Sequence, residues 1–204
     1  MSDSNPSNIE LLTHFAKKTQ RDISSQEIPY YGYIKHPVVY HKRVVVIPDS
    51  IDNQVFLIAF SNPKSISDDS FFFGVFIPLN KPIFGNLEIR KRYFFDSLNL
   101  FNRHRNLNTS FEKFNKNVLI KGDAIDFVRE VIDKQTIQMT IVDALNLEDA
   151  FFVGLNRLNL DFVPEFEKKS SFGFYTRQKW HVEHDFLERM FAIGRDLKKF
   201  VGEW

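Results

Sequence analysis

The stretch covering residues 111–162 constrains the fold most, because its apolar pattern switches between the period of a strand and that of a helix. Residues 118–121 are apolar enough to predict a short strand, and Asp123 follows at the N-cap position of a helix. The apolar stripe of that helix consists of Ala124, Phe127, Val128, Val131 and Ile132. A strand and a helix joined so directly are typical of a fold that mixes both element types.

Residues 136–145 fit two patterns. Ile137, Met139 and Ile141 alternate with polar residues as they would in a strand. Helical spacing also fits, and Leu145 continues it, so we favour a helix while a strand stays open.

The N-terminal half of the chain predicts one helix followed by strands. Ser7 and Glu10 have the spacing of a capping box, which indicates a helix over residues 8–19. Four strands are then predicted, at residues 38–47, 55–60, 71–77 and 87–95. Short turns and no helical pattern separate them, so we expect antiparallel pairing.

Two elements are predicted in the C-terminal half. Residues 151–153 and 158–162 have the pattern of a hairpin with its turn at residues 155–156. A long helix is predicted over residues 179–201. Its apolar stripe consists of Val182, Phe186, Met190, Ile193, Leu197 and Val201. We expect the chain's own sheet to cover this stripe, with a second chain as the alternative.

These elements predict an α+β fold, namely an antiparallel sheet with packed helices and a long C-terminal amphipathic helix. Residues 1–7 are mostly small and polar and predict a disordered tail. Residues 8–204 then form a single α+β domain, which is long enough to bury a core of its own.

Composition narrows the classes of protein. The chain contains no cysteine, which excludes disulfides, thiolate zinc sites and cysteine nucleophiles. A formal net charge of +1 gives no overall field that would attract nucleic acid, and the 23 phenylalanines indicate a phenylalanine-rich core. The longest apolar run, residues 71–79, is far shorter than the ~20 residues of a membrane-spanning helix. Since the N-terminus also lacks the pattern of a secretory signal, we expect a cytoplasmic protein without a membrane span.

Ten residues carry a family resemblance: Phe111, Glu112, Phe114, Val118, Asp123, Ala124, Leu145, Phe151, Phe152 and Leu158. With them, residues 84–163 resemble the core of a bacterial domain of unknown function that is usually found in membrane-anchored proteins. The resemblance implies an α+β fold in which Phe111 and Glu112 begin a strand, and a helix for residues 136–145. It implies no catalytic residue, and this sequence differs from the family in predicting no membrane helix.

The histidines near the start of the C-terminal helix form the best metal-like group. His181 and His184 are three residues apart, and Glu188 lies one turn beyond His184. This is not the HExxH spacing of helical zinc proteases, and no third ligand is evident. We therefore favour solvated or helix-capping histidines and predict no cofactor, with a metal-dependent hydrolase as the enzyme alternative.

A second group combines basic and aromatic residues, as a site for single-stranded nucleic acid requires. It comprises Arg90 and Arg92 in a predicted strand and Arg103 and Arg105 in the following loop. Arg90 and Arg92 would face the same side of the strand. Because acidic residues nearby dilute the charge, we favour a solvated surface, with weak binding of single-stranded nucleic acid as the alternative.

No motif predicts catalysis. The sequence contains neither a nucleophile elbow nor a glycine-rich phosphate loop. Two pairs of carboxylates, Asp49 with Asp52 and Asp68 with Asp69, stand in turn-rich sequence and are explained by turn hydrogen bonds. We therefore expect a non-enzymatic interaction or scaffold module with a protein partner in the bacterial cytoplasm. Its signature would be an exposed apolar patch or groove without convergent polar groups.

Overall fold

The computed structural model describes residues 7–31, 39–65, 69–93, 96 and 106–202 of the chain. Within them, one sheet and its packed helices form the predicted α+β fold. The strands are β1 (Ser24–Tyr31), β2 (Val39–Pro48), β3 (Phe56–Ser61), β4 (Phe71–Pro78), β5 (Leu87–Lys91), β6 (Asn106–Leu107), β7 (Val118–Gly122), β8 (Phe151–Leu155) and β9 (Ser171–Thr176). The helices are α1 (Asn8–Lys18), α2 (Glu112–Asn117), α3 (Ile125–Phe127, continued by the π-helical turn Val128–Ile132), α4 (Gln135–Leu145) and α5 (His184–Val201).

The described strands pair in the order β1-β2-β3-β4-β9-β8-β5-β7-β6. Each of these pairs is antiparallel, as predicted for the strands of the N-terminal half. The first four strands follow one another along the chain, whereas β8 and β9 are inserted between β4 and β5. Phe73 of β4 therefore pairs with Thr176 of β9, so segments far apart in the sequence contribute to the centre of the sheet.

Both faces of the central strands are buried. Along β3, Leu57 faces the helices and Ile58 faces the opposite side, so the strand is apolar throughout instead of alternating. The side that carries the helices, called here the helix face, holds a cluster that includes Leu12, Phe15, Val75, Phe127, Ile141, Phe174 and Met190. The other side, called the outer face, is covered by residues 156–170. Its cluster includes Phe56, Phe60, Phe72, Phe76, Leu158, Leu160, Phe166 and Tyr175.

The helix α5 lies against β4 and α4. Met190 is fully buried, which confirms that the chain's own sheet and helices cover the C-terminal stripe. A Cβ atom at Gly194 would come within 2.6 Å of Val75 Cγ1 and 2.8 Å of Val55 Cγ1, so the glycine permits close packing of helix on sheet. The helix begins at residue 184 and not at the predicted residue 179. Residues 179–183 are not helical.

Two other helices agree with their predictions. The helix α1 begins with a capping box, in which the Ser7 and Glu10 side chains each accept a hydrogen bond from the other's backbone N–H. The helix α4 occupies the segment that also fitted a strand. It buries Ile137 and Ile141 but leaves 63% of Met139 exposed, which a helix explains and alternation does not. In the described part of the chain, no helix has the length and apolar content that crossing a bilayer requires.

The strand β1 is absent from the sequence predictions, which also extended β5 too far. The side chains from Ser24 to Glu27 are exposed, so no apolar alternation marks the strand. Backbone pairing along its whole length with β2 makes it a strand instead. The strand β5 ends at Lys91, and Arg92 and Tyr93 are not part of it, whereas predicted strand residues 94 and 95 lie outside the described residues.

The predicted hairpin over residues 151–162 is wrong. The strand β8 pairs with β9 and β5, and residues 158–162 form no strand. Asn156 has a positive φ of 51°, and its side-chain amide donates hydrogen bonds to the carbonyl oxygens of Ile83 (2.9 Å) and Gly85 (3.0 Å). These bonds turn the chain away from β8, so the apolar residues that follow pack onto the outer face.

Two further predictions in the 111–162 stretch are wrong. Asp123 does not cap a helix, because its Oδ1 accepts a hydrogen bond from the backbone N–H of Asn86 at 2.7 Å. The helix α3 begins two residues later at Ile125 without a side-chain cap. Glu112 begins a helix, α2, where the family resemblance implied a strand.

Candidate functional site

His181 is packed as an aromatic residue and does not lie on a polar surface. Its ring stacks on Phe186, with 4.1 Å between ring centroids, and it lies 5.8 Å from Phe73 and 5.9 Å from Phe151. Its Nε2 lies 3.1 Å from Oε2 of Glu148, but neither atom makes a well-directed hydrogen bond. Burial lowers the pKa of His181, and Glu148 opposes that shift. The side chain therefore favours the neutral form inside the core.

The other two candidate metal ligands have different partners. Nδ1 of His184 lies 3.4 Å from Oδ1 of Asp185. Glu188 accepts hydrogen bonds from both Nη atoms of Arg21, at 2.6 and 2.9 Å. His181, His184 and Glu188 therefore do not converge, and the described part of the chain contains no group of three residues that could hold a metal ion.

Glu188 belongs to an ionic clamp formed by the buried Arg21 and Asp49 and the half-buried Glu188 and Arg195. The Asp49 carboxylate, whose side chain is fully buried, lies 3.1 Å from Nη2 of Arg21 and 2.8 Å from Nη1 of Arg195. The Arg21 guanidinium also lies 4.4 Å from the ring centre of Phe191. The clamp connects the segment after α1, the end of β2 and α5. The sequence prediction, which placed Asp49 in a turn, did not include these ion pairs.

The basic residues of β5 are separated. Arg90 forms a bidentate pair with Asp96, at 2.7 and 2.6 Å, and this hydrogen bonding lowers the pKa of the Asp96 carboxyl to about 2. Arg92 follows the end of β5 and lines the same cavity as Lys91, so the strand alternation on which the prediction of a shared face depends does not extend to it. Arg103 and Arg105 lie outside the described residues.

Arg92 lines an open groove of about 810 Å³ between α2 and α4, called here the α2–α4 groove. Its apolar floor is formed by Phe114, Val118 and Leu145, which are all buried. Its lip carries the exposed Met139. The full lining comprises Lys91, Arg92, Phe111, Lys113, Phe114, Asn117, Val118, Gln135, Gln138, Met139, Val142, Asp143, Leu145 and Asn146.

Three cations line this groove, Lys91, Arg92 and Lys113, and they differ in whether a carboxylate is paired with them. Lys91 is paired with Asp149 at 2.9 Å. Arg92 and Lys113 form no ion pair with any residue that the structure describes, and Nε of Arg92 is buried without a hydrogen-bond partner there. The backbone N–H of Arg92 donates to the carbonyl of Asn117 at 2.8 Å, which fixes the base of the side chain.

Sequence reasoning found only part of this groove. It singled out Arg92 among the basic residues, but Lys113 and Met139 carried no signal of their own. Their proximity follows from the direct step from α2 into β7, where Val118 pairs with Lys91, and from α4 packing beside them.

No family model, curated protein or solved structure matches this chain.

Proposed function

We propose that the protein is a non-enzymatic interaction module whose α2–α4 groove binds a segment of a partner protein that carries both apolar side chains and carboxylates. The observation that carries this proposal is the pair of unmatched cations, Arg92 and Lys113, beside an apolar floor. Arg92 is half-buried without a counter-ion, which is unfavourable unless a ligand supplies a carboxylate, and the exposed Lys113 adds a second positive charge.

The dimensions and lining of the groove support a peptide-like ligand. Its volume of about 810 Å³ falls within the usual range of ligand-binding clefts. Phe111 and Met139 stand at the lip, where an apolar side chain of a partner can contact them. An exposed methionine adapts its shape to different apolar ligands, and aromatic residues and arginine are frequent anchors of protein interfaces.

The charges favour an acidic partner. The Arg92 guanidinium can bind a carboxylate through two parallel hydrogen bonds, and Lys113 adds a second positive charge. Asp143, the only acidic residue of the described lining, leaves the groove with an excess of positive charge. A nucleic acid is a poorer fit, because the chain has a net charge of only +1 and little general attraction for a polyanion.

The described lining contains no serine, histidine or cysteine, so it offers no nucleophile with an adjacent base. The hydrolase alternative has less support, since its histidines lie apart from this groove. A cytoplasmic location and the resemblance to a bacterial domain of unknown function stay predictions from the sequence.

Selection from a displayed library of random 15-residue peptides would test the proposal directly. We expect the selected peptides to be enriched in acidic and apolar residues. Their affinity should fall at least about tenfold in an Arg92→Glu, Lys113→Glu double variant, because two attractions become repulsions.

A matched control for this charge reversal is the Lys17→Glu, Arg189→Glu double variant, which changes two exposed cations on α1 and α5. It should retain the peptide affinity of the wild-type protein. Equal losses in both double variants, or selected peptides without acidic residues, would contradict the proposed groove.

A further inference from the structure

The α2–α4 groove follows one whole side of α4. Five of the residues that α4 and its C-cap contribute to the lining recur at the spacing of a single helix face, namely i, i+3, i+4, i+7 and i+11. They are Gln135, Gln138, Met139, Val142 and Asn146. The 11 residues of α4 extend over about 16 Å, at a rise of ~1.5 Å per residue. A partner segment that fills the groove therefore lies along this helix.

The helix α2 runs beside α4 in the same direction. At one end of the groove, the backbone N–H of Ser110, just before α2, donates to Oδ1 of Asp133, just before α4, at 2.6 Å. At the other end, Val118 follows α2 and pairs with Lys91, whose Nζ lies 2.9 Å from Oδ1 of Asp149, beyond α4. The groove is thus a trough between two helices whose starts lie together and whose ends lie together.

Main-chain groups of the strand residues in the lining are already paired within the chain. Lys91 pairs with Val118 across β5 and β7. The N–H of Val118 donates to the carbonyl of Phe114. The N–H of Arg92 donates to the carbonyl of Asn117 at 2.8 Å. An extended partner, which binds by pairing its backbone with a strand edge, would find few free main-chain groups here, whereas a helix pairs its own backbone groups and needs none.

The charges of the lining are divided between its two sides. Lys113 lies on α2, and Arg92 is joined through its backbone to the last residue of α2, so both unpaired cations belong to that side. Asp143 lies on α4. Carboxylates on the flank of a bound helix that faces α2 would be attracted, whereas carboxylates on the opposite flank would be repelled by Asp143.

On the basis of the function proposed above, we propose that the partner segment is an amphipathic α-helix of about three turns, the length that covers α4. Its apolar residues, at positions i, i+3, i+4 and i+7, point into the groove and contact Phe111 and Met139. Its carboxylates stand beside that stripe, on the flank that faces Arg92 and Lys113.

Two synthetic 15-residue peptides of identical composition separate a helix from an extended segment. The helical peptide has leucine at i, i+3, i+4 and i+7, glutamate beside that stripe and alanine elsewhere. In the alternating peptide, the same residues are rearranged so that leucine occupies every second position, as in a strand. We expect the helical peptide to bind at least about tenfold more tightly in calorimetric titration and to gain helical circular dichroism on binding. Proline at a central, solvent-facing position of this peptide should weaken its binding at least about tenfold, because proline breaks the helix.

Met139→Asp tests the contact with α4. It places a carboxylate against the apolar stripe of the bound helix, so we expect the affinity for the helical peptide to fall at least about tenfold. Thr136→Asp is the matched control, because Thr136 is exposed on the same helix and is not among the described lining residues. This variant should bind like the wild type, and equal losses in both variants would count against the docking site.

The outcomes for the helix and for the groove can be distinguished. If the alternating peptide binds as tightly as the helical one and both lose affinity in the Arg92→Glu, Lys113→Glu double variant, the groove is supported and the helix is refuted. If neither peptide responds to that double variant, the proposed function is refuted as well. A dimer of the wild-type protein that dissociates in Met139→Asp would assign the groove to a second copy of the chain and would likewise overturn the proposal.

Discussion

The ionic clamp and the α2–α4 groove contain similar side chains but differ in how their charges are paired. In the clamp, the two cations Arg21 and Arg195 meet the two carboxylates of Asp49 and Glu188 at 2.6–3.1 Å. In the groove, Arg92 meets no carboxylate within the described residues. The paired cations of the clamp stabilise the fold, whereas the proposed function assigns the unpaired Arg92 to a carboxylate of the partner.

The same contrast extends to the methionines of the two regions. Met190 lies on α5, the helix that the clamp holds, and is fully buried. Met139 lies at the lip of the groove and is 63% exposed. The same substitution, made at the same residue type in the two regions, therefore separates effects on stability from effects on binding.

The largest expected effect is that of Met190→Asp. A carboxylate at this position would be buried among apolar side chains, and we expect a loss of about 5 kcal/mol in the free energy of unfolding, enough to prevent soluble expression. Met139→Asp should change stability by less than about 0.5 kcal/mol because the side chain is exposed. Soluble expression followed by circular dichroism melting measures both. A folded Met190→Asp monomer obtained from an oligomeric parent would instead mean that α5 packs against a second chain.

The second effect compares two arginines. Arg21→Ala removes a cation with 3% side-chain exposure and leaves the buried Asp49 with Arg195 alone, so we expect a loss of about 3–5 kcal/mol in the free energy of unfolding. Arg92→Ala removes no ion pair and should change that free energy by less than about 0.5 kcal/mol. Urea denaturation monitored by tryptophan fluorescence gives both values. Similar losses in the two variants would mean that the groove cation also serves the fold.

The sequence predicted the parts of the fold that depend on local patterns. The capping box at Ser7 and the apolar period of α4 act over a few residues, and both elements form as predicted. The clamp could not be predicted in this way, because Arg21 and Asp49 are brought to Glu188 only by packing of α5 on the sheet. The spacing of charged residues along the chain does not indicate that contact.

The smallest expected effect is a dependence of the free energy of unfolding on pH. It concerns His181, which stacks on Phe186 of α5. Burial lowers the pKa of His181 in the folded protein from 6.5, so the unfolded chain binds its proton first as the pH falls. Stability linked to this residue is therefore complete above about pH 6.5 and declines below it. Glu148, Glu183 and Lys179 are the charged groups that face the ring, and Glu148 limits the decline.

His181→Phe provides the check, because a phenyl ring suits a site formed by Phe73, Phe151 and Phe186. Chemical denaturation at several pH values between about 5 and 7 should show a weaker dependence of stability on pH in this variant than in the wild type. His14→Phe, at an exposed position on α1, is the control and should keep the wild-type dependence. An unchanged dependence in His181→Phe would assign the titration to another group.

The candidate site was harder to predict than the fold for the same reason. The sequence predicted Arg92 as one of several candidate basic residues. That it lacks a paired carboxylate can be recognised only when the positions of the nearby carboxylates in the fold are known.

The late insertion of β8 and β9 between β4 and β5 has a consequence for synthesis on the ribosome. The chain from β1 to β4 can pair as it emerges, but the free edge of β4 carries the Phe-rich segment Phe71–Pro78 and meets its partner only when β9 appears about a hundred residues later. During that interval an apolar strand edge is open to pairing with other nascent chains. Translation that stalls before Ser171 should therefore yield aggregates rather than a folded N-terminal fragment.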